Sequence, residues 1–224
     1  DIYNGYREAG YLPGAVINIL AHLGWNPGTV QELFTMEELI EQFSIDRVGK
    51  HGARFDPEKS KWFNHQYILL TPPEKLAEYL TPYFKKNGLS PDIQLIYKVL
   101  ELIRDRASLL PELWEHSWFF FMPPDSFDQT VFQKIWQEST GFLTSTFADL
   151  AEKLDPFDKD SLHELVQEFT RGHGIKTGQL MNPLRLLTVG SNQGPGMMDI
   201  AETLGKEEFV SRIRKGLEIL NKKP

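Results

Sequence analysis

The chain has 224 residues, of which 41% are apolar and 25% charged, and this composition excludes a disordered or fibrous protein. It contains no cysteine, which excludes disulfides, thiolate zinc sites and cysteine nucleophiles and favours the cytoplasm. The net charge of -7 argues against non-specific nucleic-acid binding over the whole surface but leaves room for a local basic face.

The first residues of the chain and the length of its apolar runs are also informative. Residues 1–5 include neither an initiator methionine nor a basic, apolar signal region, so we expect the chain to be a fragment of a longer polypeptide. No stretch approaches the roughly 20 uninterrupted apolar residues that a membrane helix needs, so no membrane partner is expected.

Helical patterns dominate the first 70 residues, with one irregular segment. Apolar residues follow the 3.6-residue period after Pro13 as far as Gly24. The glycine-containing segment 45–55 is predicted to be extended or irregular. Two further helices are predicted from their start signals, the capping box of Thr35 with Glu38 and the pair Asp56-Pro57.

Beyond residue 70 nearly every segment is predicted to be helical. The segment 71–74 combines a Pro-Pro pair with a capping box that starts at Thr71, so we place the main boundary near residue 70. Ser161 with Glu164 is expected to cap a later helix, and apolar faces recur as far as residue 220. The sequence therefore predicts a mainly α protein, a small mixed module followed by an all-α helical bundle.

No residue pattern indicates catalysis or metal binding. The six histidines are scattered without a metal-ligand pair. Asp155, Asp158 and Asp160 lack the spacing of a calcium loop, and we interpret them as a solvated helix start. Because no acid, base and nucleophile converge, we predict no catalytic residue and no metal or cofactor site.

Residues 190–196 form a glycine-rich loop that matches neither the dinucleotide fingerprint nor a P-loop. This 190–196 loop either caps the next helix or presents backbone N–H groups to a phosphate or a base edge. No acidic residue occurs between Glu168 and Asp199, whereas Arg171 and Lys176 do, as candidate phosphate contacts. Polar side chains in this window could read bases: Gln179, Asn182, Thr188, Ser191, Asn192 and Gln193. A plain solvated loop is the alternative.

Two other features have competing interpretations. The aromatic residues Trp114 and Trp118 to Phe121 are predicted to pack in a core, although they could instead stack bases or line a partner groove. Lys59-Ser60-Lys61 is assigned to the surface of a predicted helix.

Six blocks of the sequence carry a family resemblance: Gly10 to Pro13, Leu23 to Gly28, Gly52 to Lys59, Trp62 to Ile68, Pro183 to Arg185, and Gly190 to Glu207. These blocks resemble bacterial glutamyl-tRNA synthetases and follow that family's order. The signature motifs of the family's catalytic core, H-I-G-H and K-M-S-K-S, do not occur, and the segment 70–170 resembles the family less closely.

The resemblance implies the C-terminal part of a glutamate-tRNA ligase, with ATP and Mg bound by a catalytic domain upstream. No activity and no cofactor are expected in this chain alone. The implied modules are a stem-contact module at 1–69 and two helical anticodon-binding subdomains at 70–127 and 128–224. The expected partner is a glutamate-accepting tRNA rather than DNA, and we expect a monomer.

The family's anticodon contacts fall on five residues of this chain. Arg106 matches an arginine that tests the third anticodon nucleotide, with a plain surface ion pair as the alternative. Gly194 departs from the threonine of some members, so the contact passes to its backbone or is lost. The remaining matches are Arg185, Pro195 and Met197.

Two other functions remain open from the sequence. The chain could be a helical protein-interaction module in which the aromatic cluster forms a partner groove. It could also be an independent enzyme, the least favoured reading because no site residues converge.

Overall fold

The computed structural model describes residues 5–49 and 54–221, and within these ranges the chain is mainly α-helical, as predicted. No helix in these ranges is long and apolar enough to cross a membrane. The helices are α1 Pro13–Gly24, α2 Met36–Gln42, α3 Pro57–Leu70, α4 Pro73–Lys86, α5 Ile93–Ile103, α6 Leu110–Glu115, α7 Trp118–Phe121, α8 Gln129–Ile135, α9 Thr140–Lys153, α10 Lys159–His173, α11 Thr177–Val189, α12 Met197–Leu204 and α13 Lys206–Asn221.

The predicted irregular segment is only partly visible. Ile45–Arg47 forms a 3₁₀ turn, and Val48 pairs with Trp25 in an isolated antiparallel bridge. Residues 50–53, which include part of the Gly52 to Lys59 block, lie outside the described ranges. A second 3₁₀ turn, Arg104–Arg106, follows α5 directly.

Two of the predicted helix starts are confirmed by their hydrogen bonds. The Thr35 hydroxyl accepts from the Glu38 backbone N–H at 3.2 Å, while the Glu38 carboxylate accepts from the Thr35 N–H at 2.7 Å. Asp56 caps α3 through bonds from two backbone N–H groups, and Pro57 occupies the first turn. These side chains satisfy amides that have no partner within the helix.

The other two predicted caps are wrong. Thr71 does not cap α4, because its hydroxyl donates instead to the Tyr67 carbonyl, 2.6 Å away at the end of α3. Ser161 lies inside α10, which begins two residues earlier, and the carboxylate of Asp158 accepts from its N–H at 2.9 Å. That hydrogen bond lowers the pKa of Asp158.

The chain divides into two compact units. Unit 1 contains residues 1–90 and 103–115, and unit 2 contains residues 91–102 and 116–224. The polypeptide therefore passes from one unit to the other three times. The predicted boundaries after residues 69 and 127 divide the chain by its expected roles in tRNA binding. The division into two compact units does not test those roles, so the boundaries stay predictions.

In unit 1, α1 packs on α3, and the buried polar residue Asn64 of α3 joins three segments. Its side-chain oxygen accepts from the Leu12 N–H at 2.7 Å. Its amide nitrogen donates to the carbonyls of Gly10, at 3.3 Å, and Ser108, at 2.6 Å. Since Asn64 has no exposed surface, water cannot replace these bonds, and all its hydrogen-bonding groups depend on this one arrangement.

In unit 2, α13 packs against α9 and α11, and its Arg212 lies buried among them with 3% of the side chain exposed. The guanidinium donates to the Glu208 carboxylate at 2.7 Å, to the Thr188 carbonyl at 3.0 Å and to the Phe119 carbonyl. Burial lowers the pKa of Arg212, an effect that Glu208 opposes. The side chain supplies donors to carbonyls from two segments that are distant in sequence.

Replacing this buried arginine is expected to cost much of the stability of unit 2. Arg212→Met leaves two buried carbonyls without a donor, so we expect the free energy of unfolding to fall by about 2–4 kcal/mol. The measurement is urea denaturation followed by circular dichroism.

The matched control is Arg214→Met, two residues along the same helix. The exposed Arg214 side chain donates to Asp149 at 2.9 Å and Glu152 at 2.8 Å, and surface pairs of this kind add little. The bond to Arg214 lowers the pKa of Glu152, so its contribution is present above the ordinary carboxyl pKa and disappears as the pH falls. Equal losses in the two variants would contradict the importance of the buried bonds.

Candidate nucleic-acid interface

The 190–196 loop connects α11 to α12 and has a fixed beginning. Gly190 adopts a left-handed conformation with φ 86°, and its carbonyl accepts from the Asp128 N–H at 2.8 Å. A Cβ at Gly190 would lie 2.8 Å from the Ser126 carbonyl oxygen, so a larger residue cannot be accommodated without movement. The loop ends at Gly196, the residue before the first turn of α12.

The structure brings Arg185 and Gly194 together. The half-buried Arg185 side chain extends from α11, and its Nη1 donates to the Gln193 carbonyl at 3.0 Å. Gly194 has φ 106°, and a Cβ on it would lie 3.4 Å from Arg185 Nη1 and 3.0 Å from a ring carbon of Phe119. A threonine would therefore not fit this backbone, and the loop presents main chain beside the guanidinium.

The other two expected contacts, Pro195 in the loop and Met197 at the start of α12, are not at the surface. Pro195 and Met197 are buried, with 6% of Met197 exposed, whereas Asn192 and Gln193 are exposed. Thr188 was expected among the base-reading side chains, but it is buried and its hydroxyl donates to the Leu184 carbonyl at 2.8 Å. The exposed or partly exposed residues of the loop after Gly190 are therefore 191–194 and Gly196.

Arg171 and Lys176 lie at a different place in unit 2. Both are exposed on either side of the turn between α10 and α11, where Gly174 is left-handed. Because α11 has 13 residues and rises 1.5 Å per residue, its first turn lies roughly 20 Å from the 190–196 loop. These two cations are therefore not brought to the loop, and they would contact a different part of any bound polyanion.

Arg106 belongs to unit 1, in the 3₁₀ turn Arg104–Arg106. About half of its side chain is exposed, and its Nε lies 4.0 Å from the Asp105 carboxylate. That separation is too long for a hydrogen bond, so the surface ion pair is a weak one.

The residues that hold this turn were not predicted as functional. His65 of α3 bonds to the Ala107 carbonyl at 2.8 Å, immediately after Arg106 in the chain. The sequence indicates no role for His65 beyond its place among six scattered histidines and in the Trp62 to Ile68 block, because a contact across 42 residues has no local signature.

The aromatic cluster is divided between buried and half-buried residues. Phe119 and Phe120 are buried, as predicted, and Phe119 also supports the 190–196 loop beneath Gly194. Trp114 is half-buried and stacks on Tyr83 in unit 1, with ring centroids 5.3 Å apart. Trp118 and Phe121 are half-buried as well, so two of the five aromatic residues lie fully in the core.

Two family models match the chain in succession. Residues 2–62 match the catalytic domain of "tRNA synthetases class I (E and Q)", and residues 75–217 match the "Anticodon binding domain". The second match covers more than half of the chain and contains Arg106, Arg185 and the 190–196 loop.

Similar proteins are known in sequence and in structure. The chain is 42% identical to the glutamate-tRNA ligase of Phocaeicola vulgatus and 40% identical to that of Bacteroides thetaiotaomicron, each over 220 residues. These alignments cover 98% of this chain and 44% of each relative, so the chain spans less than half the length of the curated relatives it matches.

A solved structure extends the likeness to three dimensions. The crystal structure of a glutamate tRNA ligase from Elizabethkingia meningosepticum in complex with its amino acid has a TM-score of 0.89 and 37% identity. The superposed part covers 96% of this chain and 43% of that chain. The chain therefore belongs to the anticodon binding domain family, in the form that occurs in glutamate-tRNA ligases.

Proposed function

We propose that this chain recognises a glutamate-accepting tRNA and serves as the C-terminal part of a glutamate-tRNA ligase in the cytoplasm. The observation that carries the proposal is the Arg185 guanidinium, which lies beside the exposed main chain of the 190–196 loop through its bond to Gln193. In a chain of this family, a guanidinium at such a loop suits the recognition of unstacked anticodon bases.

The chemistry of the loop favours single-stranded RNA. Proteins read such loops by splaying out the bases and hydrogen-bonding their edges, which requires donors and acceptors held in fixed positions. Glycine at 194 allows the main chain to approach a base closely, and the buried Pro195 and Met197 support the loop from below. We therefore propose that these two residues contribute to anticodon binding by fixing the shape of the loop.

Successive segments of the chain are proposed to contact different parts of the tRNA. Residues 1–69 contact the inner bend of the tRNA, and the subdomains 70–127 and 128–224 each contact the anticodon part of the tRNA. Arg171 and Lys176 neutralise phosphates away from the loop. The remaining part of the parent enzyme binds ATP and Mg and activates glutamate, so the chain alone is inactive and acts as a monomer on one tRNA.

Filter binding with a transcribed glutamate tRNA tests this function directly. The 224-residue chain should bind the tRNA, with an affinity that falls as salt rises, because phosphate contacts release counterions. The control is the same tRNA with its anticodon triplet replaced, which should bind more weakly. Equal affinity for both RNAs would refute anticodon recognition.

Replacing Arg185 should weaken tRNA binding in a base-dependent way. Arg185→Ala is expected to cost roughly 1–3 kcal/mol of binding free energy if the guanidinium contacts a base. Arg185→Lys keeps the charge but loses the planar fork, so it should recover little of that loss.

The comparison variant is Lys176→Ala, at the far end of α11. It should lower the slope of log affinity against log salt by about one, without changing the preference between anticodons. If neither Arg185→Ala nor Lys176→Ala alters binding, the plain solvated loop is the correct interpretation.

Arg106 is proposed to favour cytosine at the third anticodon position, where glutamine tRNA carries guanine. A guanidinium at a pyrimidine-sized site can donate to the O2 and N3 acceptors of cytosine and leaves too little room for guanine. In a protein that includes the catalytic half, Arg106→Gln should reduce the ratio of kcat/KM for glutamate tRNA over glutamine tRNA.

Asp105→Asn is the matched control for this prediction. It removes the acidic neighbour 4.0 Å from Arg106 and leaves the guanidinium in place. If the ion pair were the role of Arg106, the two variants would behave alike. An unchanged ratio in Arg106→Gln would show that another residue discriminates.

A further inference from the structure

The 3₁₀ turn that carries Arg106 is fixed at both ends. Ile103 and Ala107, the residues on either side of the turn, are completely buried in the chain. Arg104 Nη1 donates to the Leu69 carbonyl at the end of α3, at 3.4 Å. Only the last residue of the turn, Arg106, directs a half-exposed cation outward from this anchored backbone.

The two residues after Arg106, Ala107 and Ser108, both form main-chain hydrogen bonds to side chains. The Ala107 carbonyl bonds to His65 Nδ1 at 2.8 Å, and the Ser108 carbonyl accepts from Asn64 at 2.6 Å. The Ser108 N–H donates to the Glu112 carboxylate, also at 2.6 Å. Because a carbonyl oxygen can only accept, His65 Nδ1 carries the hydrogen in this arrangement.

We propose that His65 is a positioning residue for Arg106 and thereby contributes to the discrimination of the third anticodon base. The inference rests on the proposed function. Arg106 ends in a guanidinium four rotatable bonds from its Cα, so a small rotation of the 106–107 peptide displaces the charged group much further. Recognition sites depend on groups held to within about 0.5 Å by the bonds of supporting residues.

The two polar residues of α3 have separate roles in this arrangement. Asn64 also bonds to Leu12 and Gly10 and is required for the core of unit 1. His65 is half-buried, and the hydrogen bond described for it is directed at the segment after Arg106. A substitution at His65 therefore tests positioning with less disturbance of the fold than one at Asn64.

His22 offers a close control within the same unit. Its ring Nε2 bonds to the Glu32 carbonyl at 2.8 Å, the same length as the bond from His65 to Ala107. It is also half-buried, and it stacks on Phe63 at a centroid distance of 5.3 Å. His22→Leu removes a bond of the same length, at a more exposed place, without touching the turn 104–106.

The experiment compares two anticodon stem-loop RNAs that differ only by cytosine or guanine at the third anticodon position. Their dissociation constants are measured with the 224-residue chain and four variants, His65→Leu, His65→Asn, His22→Leu and Arg106→Gln. The readout is the ratio of the two constants, since a general loss of folded protein or of phosphate contacts cancels in it. Thermal unfolding by circular dichroism is recorded in parallel.

His65→Leu is expected to reduce the preference for cytosine about three- to tenfold, as befits the loss of one hydrogen bond. His65→Asn should keep most of the preference, because the asparagine Nδ2 can donate from the place of the ring Nδ1. His22→Leu should leave the ratio unchanged, and Arg106→Gln should abolish it.

The outcomes separate this inference from the function on which it rests. A full preference in His65→Leu, with the preference lost in Arg106→Gln, overturns the positioning role and leaves the proposed function intact. An equal decrease in His22→Leu overturns it as well, because the effect is then general to the unit. If Arg106→Gln keeps the preference, or if the unmodified chain binds neither RNA, the assignment of Arg106 and the positioning role both fail.

Discussion

The side-chain amide of Asn64 is the interaction on which unit 1 depends. One buried group joins the main chain at Gly10 and Leu12, helix α3 and the main chain at Ser108. An apolar residue of similar size would leave the Leu12 N–H and the Ser108 carbonyl unsatisfied, and an aspartate would place a negative oxygen against a carbonyl. The segment around residue 108 is thus a structural part of unit 1, although it lies within the anticodon family match.

Unit 2 uses a buried arginine in a similar way, and the consequence reaches the candidate site. Arg212 donates to the carbonyls of Phe119 and Thr188, which belong to the helix beneath the 190–196 loop and to the end of α11. The ring of Phe119 then closes the space below Gly194, beside the guanidinium of Arg185. A buried cation thereby supports the surface on which a second cation is proposed to meet a base.

Helix caps are local features, and two of the four predicted from the sequence are confirmed. Thr35 and Asp56 cap helices by bonding to amides two or three residues further on, so their roles can be predicted from residues nearby in the sequence. The burial of Met197 and the support of Arg106 by His65 depend on segments that meet only after folding. Family resemblance named the candidate contact residues, but it did not reveal which of them are buried or which residues hold them.

The three passages of the chain between the units have a consequence for the evolution of such proteins. An exchange of anticodon specificity by recombination near residue 70 would keep α3 from one parent and take residues 103–115 from the other. The side-chain donors of α3, Asn64 and His65, would then meet a segment that comes from a different protein. Successful exchanges should therefore carry both sides of this hydrogen-bonded contact together, so the heritable module is larger than the anticodon-binding part alone.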